Sequence, residues 1–183
     1  MNQDQACQIM GQNFFGIKEA IKYYGIDPTP EQLDTLSEVP FSKETLRECK
    51  NTHVLVAIFP ISILDIRDKV QDKKLFRDRD WYYTQSFAKE SGETGWQLIC
   101  KTRVVDSKSK NLEEQNFLLS KDEEDPTAQV MVYTIIGHYL ATGKRLFKEI
   151  LVRTSSVSDR PQNRLDRVYV GIFDSDGLTV YCC

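Results

Sequence analysis

Val130-Met131-Val132-Tyr133-Thr134-Ile135-Ile136-Gly137-His138-Tyr139-Leu140 is the longest apolar stretch of a 183-residue chain, and its reading decides the fold. Asp125 and Pro126 ahead of it read as a helix start, with Asp as cap and Pro in the first turn. Gly143 ends it, and Lys144 and Arg145 complement the negative end of the helix that results. A helix over 127–142 is therefore predicted, apolar nearly all round. Such a helix belongs in the middle of a folded domain, because no face of it is suited to water. It is too short for a membrane span, which takes about 20 apolar residues.

Working outward, His53-Val54-Leu55-Val56-Ala57-Ile58-Phe59 is a second apolar run, rich in β-branched residues and bounded by Asn51 and Pro60. Its length and flanks predict a central strand covered on both faces. The carboxy-terminal part reads as β: a strand over 149–154, a polar loop over 155–165 with Pro161, and strands over 166–173 and 178–182. Asp174-Ser175-Asp176-Gly177 joins the last two as a hairpin turn. A further strand is expected over 96–105.

The amino-terminal half is helical by pattern. Ala6, Ile9, Met10, Phe14, Ile17, Ile21 and Tyr24 recur at steps of three and four, predicting one helix that stops at Gly25. Thr29-Pro30-Glu31 and Ser42 start two short helices. A less regular one follows Pro60. Another is expected over 111–119, with Leu112 and Phe117-Leu118-Leu119 on its inner side. Residues 65–80 interleave acids and bases, which marks a solvated face or loop. The expected fold is α+β, one domain over 1–183, with several helices and the buried helix packed on a mainly antiparallel sheet. The apolar strand that closes the chain suggests a piece cut from a longer parent.

Hydrophobic residues at 40% exclude wholesale disorder. A net charge of −3 lacks the surplus of Lys and Arg that backbone contacts to nucleic acid need, so no nucleic-acid partner is expected. Five irregularly spaced cysteines, two of them adjacent, suit reduced thiols in a cytoplasm better than a disulfide framework. No membrane association is expected, since the longest apolar run is too short to span a bilayer, and the first residues lack a signal pattern.

Chemistry is sparse in the pattern. The histidines are His53 and His138. Cys49 and His53 have a zinc-like spacing, with Cys100 or the Cys182-Cys183 pair to complete four ligands, but an adjacent pair serves a single ion poorly. No metal or cofactor is expected. Cys7, near the start of the first helix, pairs with His138 as a candidate nucleophile and base, although helix periodicity explains both positions without chemistry. The acids Glu113-Glu114, Asp122-Glu123-Glu124-Asp125 and Asp174/Asp176 are too plentiful to single out a pair. Val168–Phe173 has the look of a base-stacking strand, yet too few residues follow it for that fold. Neither a phosphate-binding glycine loop nor a G-x-S-x-G elbow is present. Trp81, Tyr82, Tyr83 and Trp96 form the best candidate binding surface, because aromatics beside charges bury area at little entropic cost.

Two functions remain: a non-catalytic interaction or structural domain, with a protein partner or self-association, and a hydrolase acting through Cys7 and His138 or a carboxylate cluster.

Overall fold

The computed structural model describes residues 1–77, 80–108, 110–159 and 166–182. In chain order its elements are α1 (Gln3–Met10), β1 (Phe14–Phe15), α2 (Ile17–Tyr24), α3 (Pro30–Thr35), α4 (Lys43–Cys49), β2 (His53–Ile58), α5 (Ile63–Lys69), α6 (Ser86–Lys89), β3 (Gly95–Cys100), α7 (Leu112–Asn116), α8 (Ala128–Thr142), β4 (Leu151–Val157), β5 (Arg167–Asp174) and β6 (Gly177–Cys182). The class is α+β, as expected. Asp78, Arg79, Pro161, Cys183 and the side chain of Leu112 lie outside the described residues.

The apolar stretch is interior throughout. Every residue of α8 from Ala128 to His138 is buried. The reason lies in its neighbours: α8 packs against α2, α5 and α6 and against strands of both sheets, β1 and β2 on the one hand and β4 and β5 on the other. Each fully buried Val, Ile or Met there contributes ~1.5–3 kcal/mol. Its polar groups are anchored as well. Gln129 Nε2 donates to Ile61 O at 2.8 Å and Tyr133 Oη to Ala57 O at 2.9 Å. Thr127 rather than Asp125 caps the helix, accepting from Val130 N at 3.2 Å. Asp125 is engaged elsewhere, 2.8 Å from Arg153 Nε. Gly143, at φ 71°, stops the helix in the left-handed region.

The strands fall into two three-stranded sheets rather than one, ordered β1-β2-β3 and β4-β5-β6. β2 is the central strand of the first, as its apolar run predicts, and pairs antiparallel with β3 from His53↔Cys100 to Ile58↔Gly95. β3 ends at Cys100, short of the expected 105. β1 joins β2 in parallel, Phe14 opposite Leu55 and Phe15 opposite Val56. The second sheet is antiparallel throughout.

That parallel pairing breaks the expected amino-terminal helix in two. Gly11, at φ 55°, closes α1, and Phe14-Phe15 extends to meet β2. α2 then starts afresh, Glu19 Oε2 accepting from Gly16 N at 2.9 Å. The apolar spacing is therefore shared by two helices, and Ile21 is 44% exposed. Around α7 one member of the expected inner face turns outward: Phe117 is 81% exposed, whereas Leu118 and Leu119 are half-buried.

Candidate functional site

The first five residues of the site come from three separate parts of the chain. The turn after α1 supplies Gln12 and Asn13, the exit of β3 supplies Lys101 and Thr102, and α8 supplies His138. Lys144, Arg145 and Leu146, just past the end of α8, complete a cleft of about 390 Å³. None of these residues is acidic.

Two of its three cations are held by neutral oxygens. Lys101 Nζ donates to Asn13 Oδ1 at 2.7 Å, and Asn13 Nδ2 in turn donates to Lys50 O at 2.6 Å, which orients the amide. Lys144 Nζ donates to Gln12 Oε1 at 2.7 Å. Arg145 lies over two aromatic rings, its guanidinium carbon 4.9 Å from the centroid of Tyr139 and 5.1 Å from that of Phe173. Its Nε is buried without a hydrogen-bond partner. Among the described residues no ion pair reaches Lys101, Lys144 or Arg145. Burial and the nearby Lys144 lower the Lys101 pKa. Each ammonium has three donor positions and gives one to an amide oxygen, so further donors are available to a ligand.

His138 forms the buried wall and is 4% exposed. Its Nδ1 stands 3.2 Å from Lys144 O and 3.3 Å from Thr142 Oγ1. Burial first, then the charges of Lys101 and Lys144, pushes its pKa below the ordinary value, against the opposing pull of the Lys144 carbonyl. The environment therefore favours the neutral imidazole.

A larger and more open depression of about 600 Å³ lies against Arg103, Val104, Val105, Asp106, Lys108, Lys110 and Leu118. None of those side chains is buried, and Asp106 offsets part of the charge. The smaller cleft is the better site because it joins a buried titratable group to uncompensated cations.

The other candidates are placed as follows. Cys7 is exposed on α1, with its thiol pKa raised by burial, Glu19 and Asp4. No hydrogen bond joins it to His138 among the described residues. Trp81 Nε1 donates to Val180 O at 3.1 Å, and Tyr82 is buried with its hydroxyl accepting from Arg67. Tyr83 stacks on Tyr82, ring centroids 5.4 Å apart. Trp96 packs elsewhere, against Phe14, with Nε1 donating to Leu36 O at 3.1 Å. Trp96 and the 81–83 group thus pack on different partners. Several acids serve structure: Glu114 and Glu123 accept from the backbone at Asn111 and Ser120, Asp125 meets Arg153, and Asp174 meets Arg77. His53 and Cys100 face each other across β2 and β3, but no group of three His, Cys, Asp or Glu among the described residues is arranged to hold a metal ion.

Comparison of the chain with family models, curated proteins and solved structures gives no match in any of the three, so no activity is carried over from a relative. Among the described residues no helix is long and apolar enough to cross a membrane.

Lys101, Lys144 and Arg145 carry no motif. Lys144 and Arg145 read in sequence as partners of a helix end, and Lys101 as one more residue of the strand expected over 96–105.

Proposed function

We propose that this protein binds a small oxyanionic ligand, bearing phosphate or carboxylate, in the cleft between the exit of β3 and the end of α8. The supporting observation is the meeting of Lys101, Lys144 and Arg145 at a wall formed by His138 with no acidic residue in the lining. A helix carboxy-terminus presents only about −0.5 of an elementary charge, so α8 accounts for a fraction of about three positive charges. An anion would supply the rest and receive charge-assisted hydrogen bonds, which are about twice as strong as neutral ones.

The reading is tested by titrating inorganic phosphate and pyrophosphate into the protein and following backbone amide shifts. Saturable shifts at Asn13, Lys101, Thr102 and Lys144 are expected, with affinity at least about tenfold weaker in the Lys101→Gln/Lys144→Gln double variant, one lost charge-assisted bond accounting for that factor. Absence of saturation with either anion at about 10 mM, where binding is worth under 3 kcal/mol, would overturn it.

A second reading, self-association, is supported by Val105 and Phe117, which are 78% and 81% exposed. Val104 and Val105 share a depression with Leu118, the chain neighbour of Phe117, and large apolar side chains mark contact sites when they cluster on a surface. Light scattering on a concentration series checks it: association lost in Val105→Ser/Phe117→Ser is expected, and a wild-type monomer throughout overturns it.

A further inference from the structure

The hydrogen-bond inventory around His138 assigns its tautomer. Thr142 Oγ1 has one hydrogen, and it is committed to His138 O at 2.7 Å. Toward the imidazole the threonine oxygen therefore only accepts, and Lys144 O is an acceptor by nature. With acceptors on both contacts, Nδ1 carries the proton. A neutral imidazole has one N–H, so Nε2 is left as a lone pair. Both polar contacts of the ring are made by Nδ1, and His138 lines the cleft, which leaves Nε2 as the nitrogen for a ligand. One acceptor thus belongs to a residue that lines the same cleft as Lys101 and Lys144.

We infer that His138 makes the cleft selective for oxyanions that bring their own hydroxyl hydrogen, of which hydrogen phosphate is the type, over fully deprotonated ones such as sulfate. This rests on the oxyanion-binding reading above. A hydrogen phosphate ion donates its hydroxyl to Nε2 while its other oxygens accept from the lysines. Sulfate has the same shape and charge but sets an oxygen lone pair against the nitrogen lone pair. A buried acceptor left unmatched costs more than a hydrogen bond gains, so the two ions separate sharply in affinity.

Phosphate and sulfate are to be compared on the wild-type protein at pH 7.5 and equal ionic strength, by calorimetry or amide shifts. Phosphate is expected to bind at least about tenfold more tightly, the factor one mismatched hydrogen bond supports. Equal or tighter binding of sulfate, with phosphate still saturable, overturns the selectivity and leaves the oxyanion site standing. Failure of both ions overturns the selectivity, and failure of pyrophosphate as well overturns the oxyanion site. His138→Asn keeps a donor where Nδ1 stands and removes the Nε2 acceptor; phosphate should then exceed sulfate by no more than about twofold, and an unchanged preference overturns the role of Nε2. A measurement on the unaltered protein guards against a misfolded variant: long-range proton–nitrogen correlation of the His138 ring should show the Nδ1–H form, and the Nε2–H form or a doubly protonated ring would overturn the inference.

Discussion

Tyr24 donates its hydroxyl to the main-chain carbonyl of Tyr133 at 2.6 Å, with the two rings tilted at 53° and their centroids 4.7 Å apart. The contact joins α2 to α8 across 109 residues of sequence. It depends on Gly137, one turn further along α8. A Cβ there would meet Phe15 Cε2 and Cζ at 2.8 Å and Tyr24 Oη at 2.9 Å. Gly137→Ala is therefore expected to destabilise the protein by about 1–3 kcal/mol, the ordinary cost of overpacking a filled core, although alanine favours helices. Tyr24→Phe should cost less, about 1 kcal/mol, because Tyr133 O sits within a helix. Urea unfolding of both variants checks the order, and a stabilised Gly137→Ala would contradict the packing described.

Electrostatics should dominate the cleft. Lys144 is exposed and Lys101 half-buried, so salt screens much of their attraction for an anion. Raising the ionic strength from about 0.05 to about 0.5 M shortens the screening length severalfold and should weaken phosphate binding in calorimetry. Lys144→Arg should retain binding, and Lys144→Glu should abolish it.

Acid should destabilise the fold in a window set by histidine. Burial, joined by Lys101 and Lys144, holds His138 below 6.5, and burial likewise lowers His53. Between their folded values and 6.5 the unfolded chain binds more protons than the folded one, so stability rises with pH there. It should level off above about pH 7 and fall as pH drops through 6.5. Urea midpoints at pH 7.5 and 5.5 test the sign: the lower pH should give the lower midpoint, by less in His138→Asn.

Arg153 ties the segment around α7 to the second sheet. Its guanidinium meets Gln115 Oε1 at 3.0 Å, Asn116 Oδ1 at 2.8 Å and Asp125 Oδ1 at 3.0 Å, and its side chain is 9% exposed. Asp125→Ala removes a carboxylate from that charge and should cost about 2–3 kcal/mol, somewhat under the loss seen for fully buried pairs. Amide exchange over 112–116 should accelerate in the same variant, and unchanged exchange would show that Arg153 does not hold the segment.

The amino-acid order alone determined the interior helix, the central strand over 53–58, the last hairpin and the caps at Thr29 and Ser42. Periodicity and cap chemistry act over a turn or two of chain, so neighbours in sequence carry that information. Tertiary structure alone decided the rest. Phe14-Phe15 leaves the helix only because Leu55 and Val56 offer a strand edge, and one expected sheet becomes two because α8 contacts strands of both. The cleft is the extreme case: Lys101 meets Asn13 across 88 residues, and Lys144 meets Gln12 across 132. Whether a lysine is a solvated charge or part of a binding site depends on what lies within a few ångströms of its ammonium, and local sequence does not contain that distance.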